Sequence, residues 1–280
     1  MQIVKPIDEL RATIKVWRQA GNKIALVPTM GNLHHGHLKL VDAAKKIADK
    51  VVVSIFVNPL QFAAGEDYHS YPRTESQDQQ LLQAAGVDLL FLPTVAEVYP
   101  YENKTSVLVC GLSELYCGAF RPGHFAGVAT IVCKLFNMVC PDLALFGLKD
   151  FQQLAIIKTM VRDLDLPVEL VAIDTVREAS GLAMSSRNGY LSDQEKILAP
   201  KLYEVLCTIH TAIRQGERNY RMLEQQAIHW LEAHGFKCDY FSICRIDNLG
   251  LAEAEDKNLV LLSAAKLGKT RLIDNIIIEL

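Results

Sequence analysis

The segment Pro28-Thr29-Met30-Gly31-Asn32-Leu33-His34-His35-Gly36-His37 sets two imidazoles, His34 and His37, three residues apart around a glycine. It lies where an apolar run at 24–28 gives way to an amphipathic pattern. Ile24 to Val27 reads as a buried strand, and Gly36 to Lys50 reads as a helix with Leu38, Val41, Ala44 and Ile47 or Ala48 on one face. The turn between them points backbone N–H groups and the positive end of the helix dipole at any arriving anion. His34 and His37, at i and i+3 on the first helical turn, project to one side, and Gly31 and Gly36 let a ligand approach the backbone closely. The chemistry such a turn serves is the binding of a polyphosphate such as a nucleoside triphosphate. The bland alternative is a helix N-terminus that happens to carry histidines.

Three further segments carry suitable groups. Gly181-Leu182-Ala183-Met184-Ser185-Ser186-Arg187-Asn188 joins a flexible turn to two hydroxyls and a guanidinium, which together can wrap phosphates. A solvated loop is the competing reading. In Phe146-Gly147-Leu148-Lys149-Asp150-Phe151-Gln152-Gln153, Asp150 and Gln153 share a face if a helix starts near Asp150, with the Lys149 ammonium as a point charge for phosphate. Equally, Asp150 can be a plain cap and Lys149 a surface charge. Gln61, in Asn58-Pro59-Leu60-Gln61-Phe62, offers an amide for a hydroxyl or carboxylate, or else tethers its own loop. Asp78, following Tyr71-Pro72-Arg73-Thr74, could accompany the Mg²⁺ of ATP, although a solvated helix face is the plainer reading. Arg121-Pro122-Gly123-His124-Phe125 precedes a helix, and its spacing assigns it no role.

The elements that must position these groups alternate. Apolar, β-rich runs at 24–28, 51–57, 87–92, 143–146 and 168–176 are separated by helical patterns at 37–49, 75–85, 125–139 and 151–163. This predicts the α/β class, a doubly wound parallel sheet. Ligands bind beyond the carboxyl ends of such strands, and the polar, glycine-bearing clusters all follow strands. Residues 1–177 form the expected nucleotide-binding domain, and 178–280 a smaller C-terminal α+β domain expected to close over the site. Within the latter, Ser192-Asp193-Gln194-Glu195 reads as a capping box opening a helix through about 214. A helix at 219–234 and short strands near 240–246, 259–265 and 270–278 follow.

A chain of 280 residues, half of them hydrophobic, can bury a full core. The net charge of −3 supplies no general field for nucleic acid, and no basic run suggests a membrane surface. No signal-peptide pattern opens the chain, and no apolar run approaches the roughly 18 residues of a bilayer span, so a cytoplasmic protein is expected. Seven cysteines without a CxxC pair argue against disulfides and structural zinc, and Cys133 and Cys140 are expected in the core.

With these segments in view, the chain closely resembles the pantoate–β-alanine ligases, which share the HxGH signature of a nucleotidyltransferase superfamily. The likeness runs through Pro28 to His37, Phe56 to Phe62, Tyr71 to Thr74, Arg121 to Phe125, Lys149 to Gln153, Met184 to Asn188 and Leu267 to Asn275. It implies a Rossmann-like fold and a two-step ligation of (R)-pantoate and β-alanine through pantoyl adenylate, with ATP, Mg²⁺ and a cytoplasmic homodimer. By the same resemblance Met30, Gly31, Asn32, Leu33, His34, His35, Gly36, His37, Gly147, Leu148, Lys149, Asp150, Val176, Met184, Ser185, Ser186 and Arg187 bind ATP. His37 stands at the proton-donor position, His34, Lys149 and Arg187 assist catalysis, Gln61 and Gln153 bind pantoate, and Gln61 also meets β-alanine. Leu148 stands where the family usually has Glu or Gln, and Ser180 where it usually has Asp. The competing readings are an adenylyltransferase acting on a phosphate, a class I aminoacyl-tRNA synthetase without an evident tRNA-binding module, and a non-catalytic nucleotide sensor. A mobile lid over Ala63 to Asp67 is a further expectation, from small-residue composition.

Overall fold

A computed structural model describes residues 1–63 and 65–280; of the expected lid, Ala64 lies outside the described residues. The described residues divide into two compact units, Met1–Leu148 with Ile156–Asp174, and Lys149–Ala155 with Thr175–Leu280.

The first unit opens with β1 (Gln2–Val4) and α1 (Ile7–Gln19), two elements the apolar pattern had not announced. β2 (Ile24–Thr29), α2 (His35–Ile47), β3 (Lys50–Ile55), α3 (Glu75–Ala84), β4 (Leu89–Phe91) and the short helices α4 (Val95–Val98) and α5 (Cys117–Phe120) come next. Then follow α6 (His124–Val139), β5 (Leu143–Gly147), α7 (Phe151–Asp163), which runs across the division between units, and β6 (Glu169–Ile173). The six strands are all parallel, in the order β1-β4-β3-β2-β5-β6. The expected doubly wound sheet is therefore present.

β2 lies centrally, between β3 and β5. Ile24, Ala25, Leu26 and Val27 are all fully buried, as a strand covered on both faces must be. Leu40, Val41 and Ala44 of α2 and Leu82 of α3 pack with Ala25, Val27, Val51 and Val53 on one side, while α6 meets β2 and α1. The apolar stripe of α2 is thus Leu40, Val41 and Ala44, one step from the expected stripe through Leu38 and Ile47. Ile47 is exposed and Leu38 only half-buried. Cys140 is exposed and Cys133 partly buried, against the expectation of core residues. α6 stops at Val139, and Cys140 ends it in the left-handed conformation, outside the helical stripe.

In the second unit, α8 (Asp193–Leu198), α9 (Lys201–Arg214) and α10 (Tyr220–Ala233) accompany an antiparallel sheet of β7 (Phe236–Arg245), β8 (Asn258–Leu267) and β9 (Thr270–Glu279), in that order. The capping box forms: Ser192 Oγ accepts from Glu195 N at 3.3 Å, and Glu195 Oε2 accepts from Ser192 N at 2.7 Å. The single helix expected through 214 is broken, because Pro200 has no N–H to continue the ladder and starts a new helix instead. The three strands are ten residues each rather than short. Val176 and Arg177 pair with Met184 and Ala183, and Asn275 bonds the Lys149 carbonyl, so the unit begins before residue 178 and includes 149–155. No helix among the described residues is long and apolar enough to cross a membrane.

Candidate active site

Strand β2 ends at Thr29, whose hydroxyl donates to Ser54 O at 2.9 Å and accepts from Gly31 N at 3.2 Å. The chain then turns through Gly31 (φ +82°) and Asn32 (φ +51°). Gly31 is required twice over. Its φ is left-handed, and a Cβ there would stand 3.0 Å from Ile55 Cγ2 and 3.1 Å from Asp78 Oδ2.

Asp78 reaches the turn from α3 and is 1% exposed. Its Oδ2 accepts from Asn32 N and its Oδ1 from Leu33 N, both at 2.8 Å, while Thr74 Oγ1 donates to Oδ1 at 3.1 Å. The carboxylate expected to accompany Mg²⁺ instead serves three donors and holds the turn. The expected solvated face fails for the same reason: Asp78 is part of the buried frame.

The next residue, His34, is the N-cap of α2 rather than part of its first turn, contrary to the helical placement expected. Its Nδ1 accepts from Gly36 N at 3.1 Å, and His37 Nδ1 accepts from His34 N at 3.3 Å. The imidazoles thereby act as a reciprocal cap, and their ring centroids lie 4.1 Å apart. With Nδ1 accepting, a neutral imidazole carries its proton on Nε2, so both rings are donors at Nε2. The first turn of α2 holds no acidic side chain, whereas α1 has Asp8 and Glu9 there. The dipole of α2 therefore keeps its attraction for an anion. His35 is exposed, and Leu33 is buried as an anchor.

Beyond β3, Asn58 and Gln61 bracket a single 3₁₀ turn, Pro59–Gln61. Asn58 is 1% exposed and fully engaged. Its Nδ2 donates to Gln61 Oε1 and to Gly127 O, both at 3.1 Å, and its Oδ1 accepts from Leu60 N at 3.3 Å and Tyr99 Oη at 2.9 Å. Burial pushes the Tyr99 phenol up to about 12, which keeps it a donor to Asn58. Gln61 Nε2 donates to Met30 Sδ at 3.1 Å, so this amide is tied to the histidine turn itself. An amide has capacity for four hydrogen bonds, and each end of Gln61 retains capacity for one beyond these. The tether and the ligand-holding readings are therefore compatible. Helix α6 lies hard against this turn: a Cβ on Gly127 would come 2.2 Å from Leu60 O. The Arg121 and His124 side chains bond the Gln61 carbonyl from the same side.

Gly147 ends β5, and Leu148–Asp150 form a 3₁₀ turn before α7, so Asp150 precedes the helix that carries Gln153 in its first turn. In the second unit, Lys149 O accepts from Asn275 Nδ2 at 2.9 Å, and Lys149 Nζ lies 3.8 Å from Asp150 Oδ2. Val176 to Met184 fold back as a hairpin, with Met184 N donating to Val176 O at 2.9 Å and Glu178 N to Leu182 O at 2.8 Å. Arg177 locks it. Its guanidinium donates to both oxygens of the buried Asp274 at 2.5 and 2.9 Å and to Gly181 O at 3.2 Å, and it stacks 3.6 Å over the Tyr203 ring. Burial raises the Asp274 carboxyl above its ordinary range, against the pull of Arg177. Ser180, at the position where the family usually has Asp, accepts from Leu182 N at 3.4 Å, so a hydroxyl makes a local turn bond there. Ser185 caps the 3₁₀ turn Ser186–Tyr190, its Oγ accepting from Arg187 N at 3.2 Å.

The expected residues therefore fall into two groups. Met30 to His37, Gln61, Asp78, Gly147 and Leu148 belong to the first unit; Lys149, Asp150, Gln153, Val176 and Met184 to Arg187 belong to the second. Sequence reasoning gave no role to Asn58, Tyr99, Gly127, Arg177, Asp274 and Asn275, which hold these groups in place. Only the Asn-Pro pair after an apolar strand hinted at Asn58.

A parallel doubly wound sheet with a histidine-capped helix after its central strand, joined to an antiparallel three-stranded unit, defines a nucleotide-handling α/β protein of the HxGH type. A family model described as pantoate-beta-alanine ligase matches residues 2–277. A pantothenate synthetase of Methylococcus capsulatus is 56% identical over 282 residues, covering 100% of this chain and 99% of the relative. The crystal structure of pantothenate synthetase from Thermus thermophilus superposes with a TM-score of 0.93 at 45% identity, covering 99% of each chain. That of the Francisella tularensis pantoate-beta-alanine ligase, complexed with beta-gamma ATP and beta-alanine, gives 0.84 at 33% identity, covering 99% of this chain and 97% of that one. The chain belongs to the pantoate–β-alanine ligase family.

Proposed function

We propose that the chain uses ATP to join (R)-pantoate to β-alanine, giving pantothenate, AMP and pyrophosphate. A pantoate carboxylate oxygen attacks the α-phosphorus of ATP, the bond from that phosphorus to the bridging oxygen breaks, and pyrophosphate leaves. The β-alanine nitrogen then attacks the acyl carbon of pantoyl adenylate. The acyl C–O bond breaks, AMP leaves, and the amine proton is lost to solvent or a base. Free carboxylate is a poor acyl donor because oxide is a poor leaving group; the phosphate ester is a good one. The protein's task is positioning and charge stabilisation.

One observation carries this reading. The histidine turn sets two Nε2–H donors at the N-terminus of α2, and the same turn is bonded through Met30 to the Gln61 amide. This link supports reading a phosphate site and a carboxylate or hydroxyl site side by side, after the carboxyl ends of the adjacent strands β2 and β3. Met30 to His37, Gly147 to Asp150, Val176 and Met184 to Arg187 are assigned to ATP. His37 and His34 donate to phosphate oxygens, with His37 the proton donor, while Lys149 and Arg187 stabilise the departing pyrophosphate. Gln61 and Gln153 take pantoate, and Gln61 also faces β-alanine. Asp78 does not fit as a metal ligand, since its carboxylate is 1% exposed and already holds three donors of the turn and its flank. A cytoplasmic homodimer completes the proposal, and sedimentation of the purified chain checks the assembly.

The test is exchange of labelled pyrophosphate into ATP, with Mg²⁺ and pantoate but no β-alanine. Exchange that requires pantoate supports adenylation. ATP binding without exchange overturns it in favour of a nucleotide sensor.

A further inference from the structure

Arg121-Pro122-Gly123-His124 is a motif to which the reaction assigns nothing, yet two of its side chains converge on the backbone of Gln61. His124 Nδ1 lies 2.7 Å from Gln61 O, and Arg121 Nη1 lies 3.0 Å from His124 Nε2. A carbonyl only accepts and a guanidinium only donates, so the two neighbours fix the ring: Nδ1 carries the proton and Nε2 accepts. This is the opposite tautomer to that of His34 and His37. Arg121 also reaches Gln61 O through Nη2 at 3.4 Å, and its Nε and Nη2 grip the two oxygens of Glu66, each at 2.7 Å. Burial opposes ionisation of Glu66, but the hydrogen bonds and charge of Arg121 outweigh it and hold the carboxyl below its ordinary range.

Gln61 is consequently held at both ends, its carbonyl by His124 and Arg121 and its side-chain amide by Asn58 and Met30. The left-handed Gly123 (φ +81°) begins α6 so that His124 and the side-chain-free Gly127 both meet residues 60–61. We infer that Arg121 and His124 are positioning residues for the carboxylate substrate, acting through the Gln61 carbonyl, with Glu66 orienting Arg121. This rests on Gln61 being the pantoate ligand. A displacement near 1 Å in a reacting group costs about 10²-fold in rate, so a carbonyl clamp behind the binding amide bears directly on turnover.

Steady-state exchange kinetics on five variants test it. His124→Ala raises KM for pantoate about tenfold or more, leaving KM for ATP within twofold. His124→Asn, whose Nδ2 replaces the Nδ1–H donor, restores most of the loss, and Arg121→Lys, which loses the two-pronged grip on Glu66, resembles His124→Ala. In a Gln61→Ala background, His124→Ala adds nothing further to the pantoate KM. Equal rises in both KM values, or the same loss with and without Gln61, mean a merely structural role and overturn the inference. An unchanged pantoate KM in Gln61→Ala alone overturns the pantoate assignment instead. If His124→Ala fails to fold, His124→Asn and Arg121→Lys decide: wild-type recovery in the first with a selective pantoate defect in the second supports the clamp, and any other pattern removes it.

Discussion

Asp78 offers the sharpest perturbation, because two readings of it diverge. Its carboxylate takes the N–H groups of Asn32 and Leu33 at 2.8 Å each, in a site where the side chain is essentially sealed from water. Leaving one buried donor unpaired costs about 1–3 kcal/mol. Asp78→Asn keeps the shape and one acceptor oxygen, but turns an NH₂ toward the other backbone N–H. One lost bond with its charge assistance is then worth about 2–3 kcal/mol. For a chain of this size that is a fall of roughly 4–6 °C in the unfolding midpoint. Asp78→Ala orphans both donors and loses about twice as much. Because the same two N–H groups shape the turn proposed to receive phosphate, kcat/KM for ATP in pyrophosphate exchange should drop at least about tenfold, by the sensitivity of rate to positioning. The assay is thermal unfolding alongside exchange kinetics over a Mg²⁺ titration. The half-saturating Mg²⁺ concentration stays that of the wild type if Asp78 holds the turn. An unaltered midpoint together with a raised Mg²⁺ requirement would refute the reasoning and return Asp78 to the metal.

Three other outcomes follow from the geometry. His37→Ala, Lys149→Ala and Arg187→Ala should each slow exchange by about 10²–10³ while keeping the wild-type circular dichroism, the usual loss for one charge-stabilising donor; near-normal rates in all three would remove the assignment. Gly127→Ala drives a methyl to within 2.2 Å of Leu60 O and should cost about 1–3 kcal/mol in urea unfolding, with a raised pantoate KM from the displaced Gln61. Burial opposes ionisation of Asp142, but bonds from Ile24 N and the Arg18 guanidinium outweigh it and hold its pKa below the ordinary 3.8. Its contribution to stability is therefore complete above that value and fades as pH falls through the lowered native pKa. The gap in urea midpoint between wild type and Asp142→Ala should accordingly be wide at pH 6 and narrow toward pH 2–3; a gap independent of pH would contradict the ion pair.

The doubly wound sheet was legible because both of its signals are local. Fully apolar runs such as Val51-Val52-Val53 mark buried strands, and period-3.6 patterns mark the helices between them. β1 escaped because Gln2–Val4 is three residues long and two of these, Gln2 and Ile3, are exposed at a sheet edge, while α1 buries only Leu10 and Ile14. Pro200 was readable as a helix breaker, but the capping box ahead of it drew one helix where there are two.

For the candidate site, the sequence by itself determined the chemical inventory: imidazoles around a glycine turn, a lysine and an arginine on glycine-bearing loops, and an amide after a strand. Those follow from residue type and short spacing, which survive in one dimension. What each group does with its atoms was decided only in three dimensions. Asp78 is 46 residues from Asn32, and His124 is 63 from Gln61; both act through hydrogen bonds to backbone that no local pattern encodes. A carboxylate is a metal ligand or a loop anchor according to which donors surround it, and an imidazole donates at Nδ1 or Nε2 according to its partner. Those partners are set by chain segments that meet only once the sheet has closed.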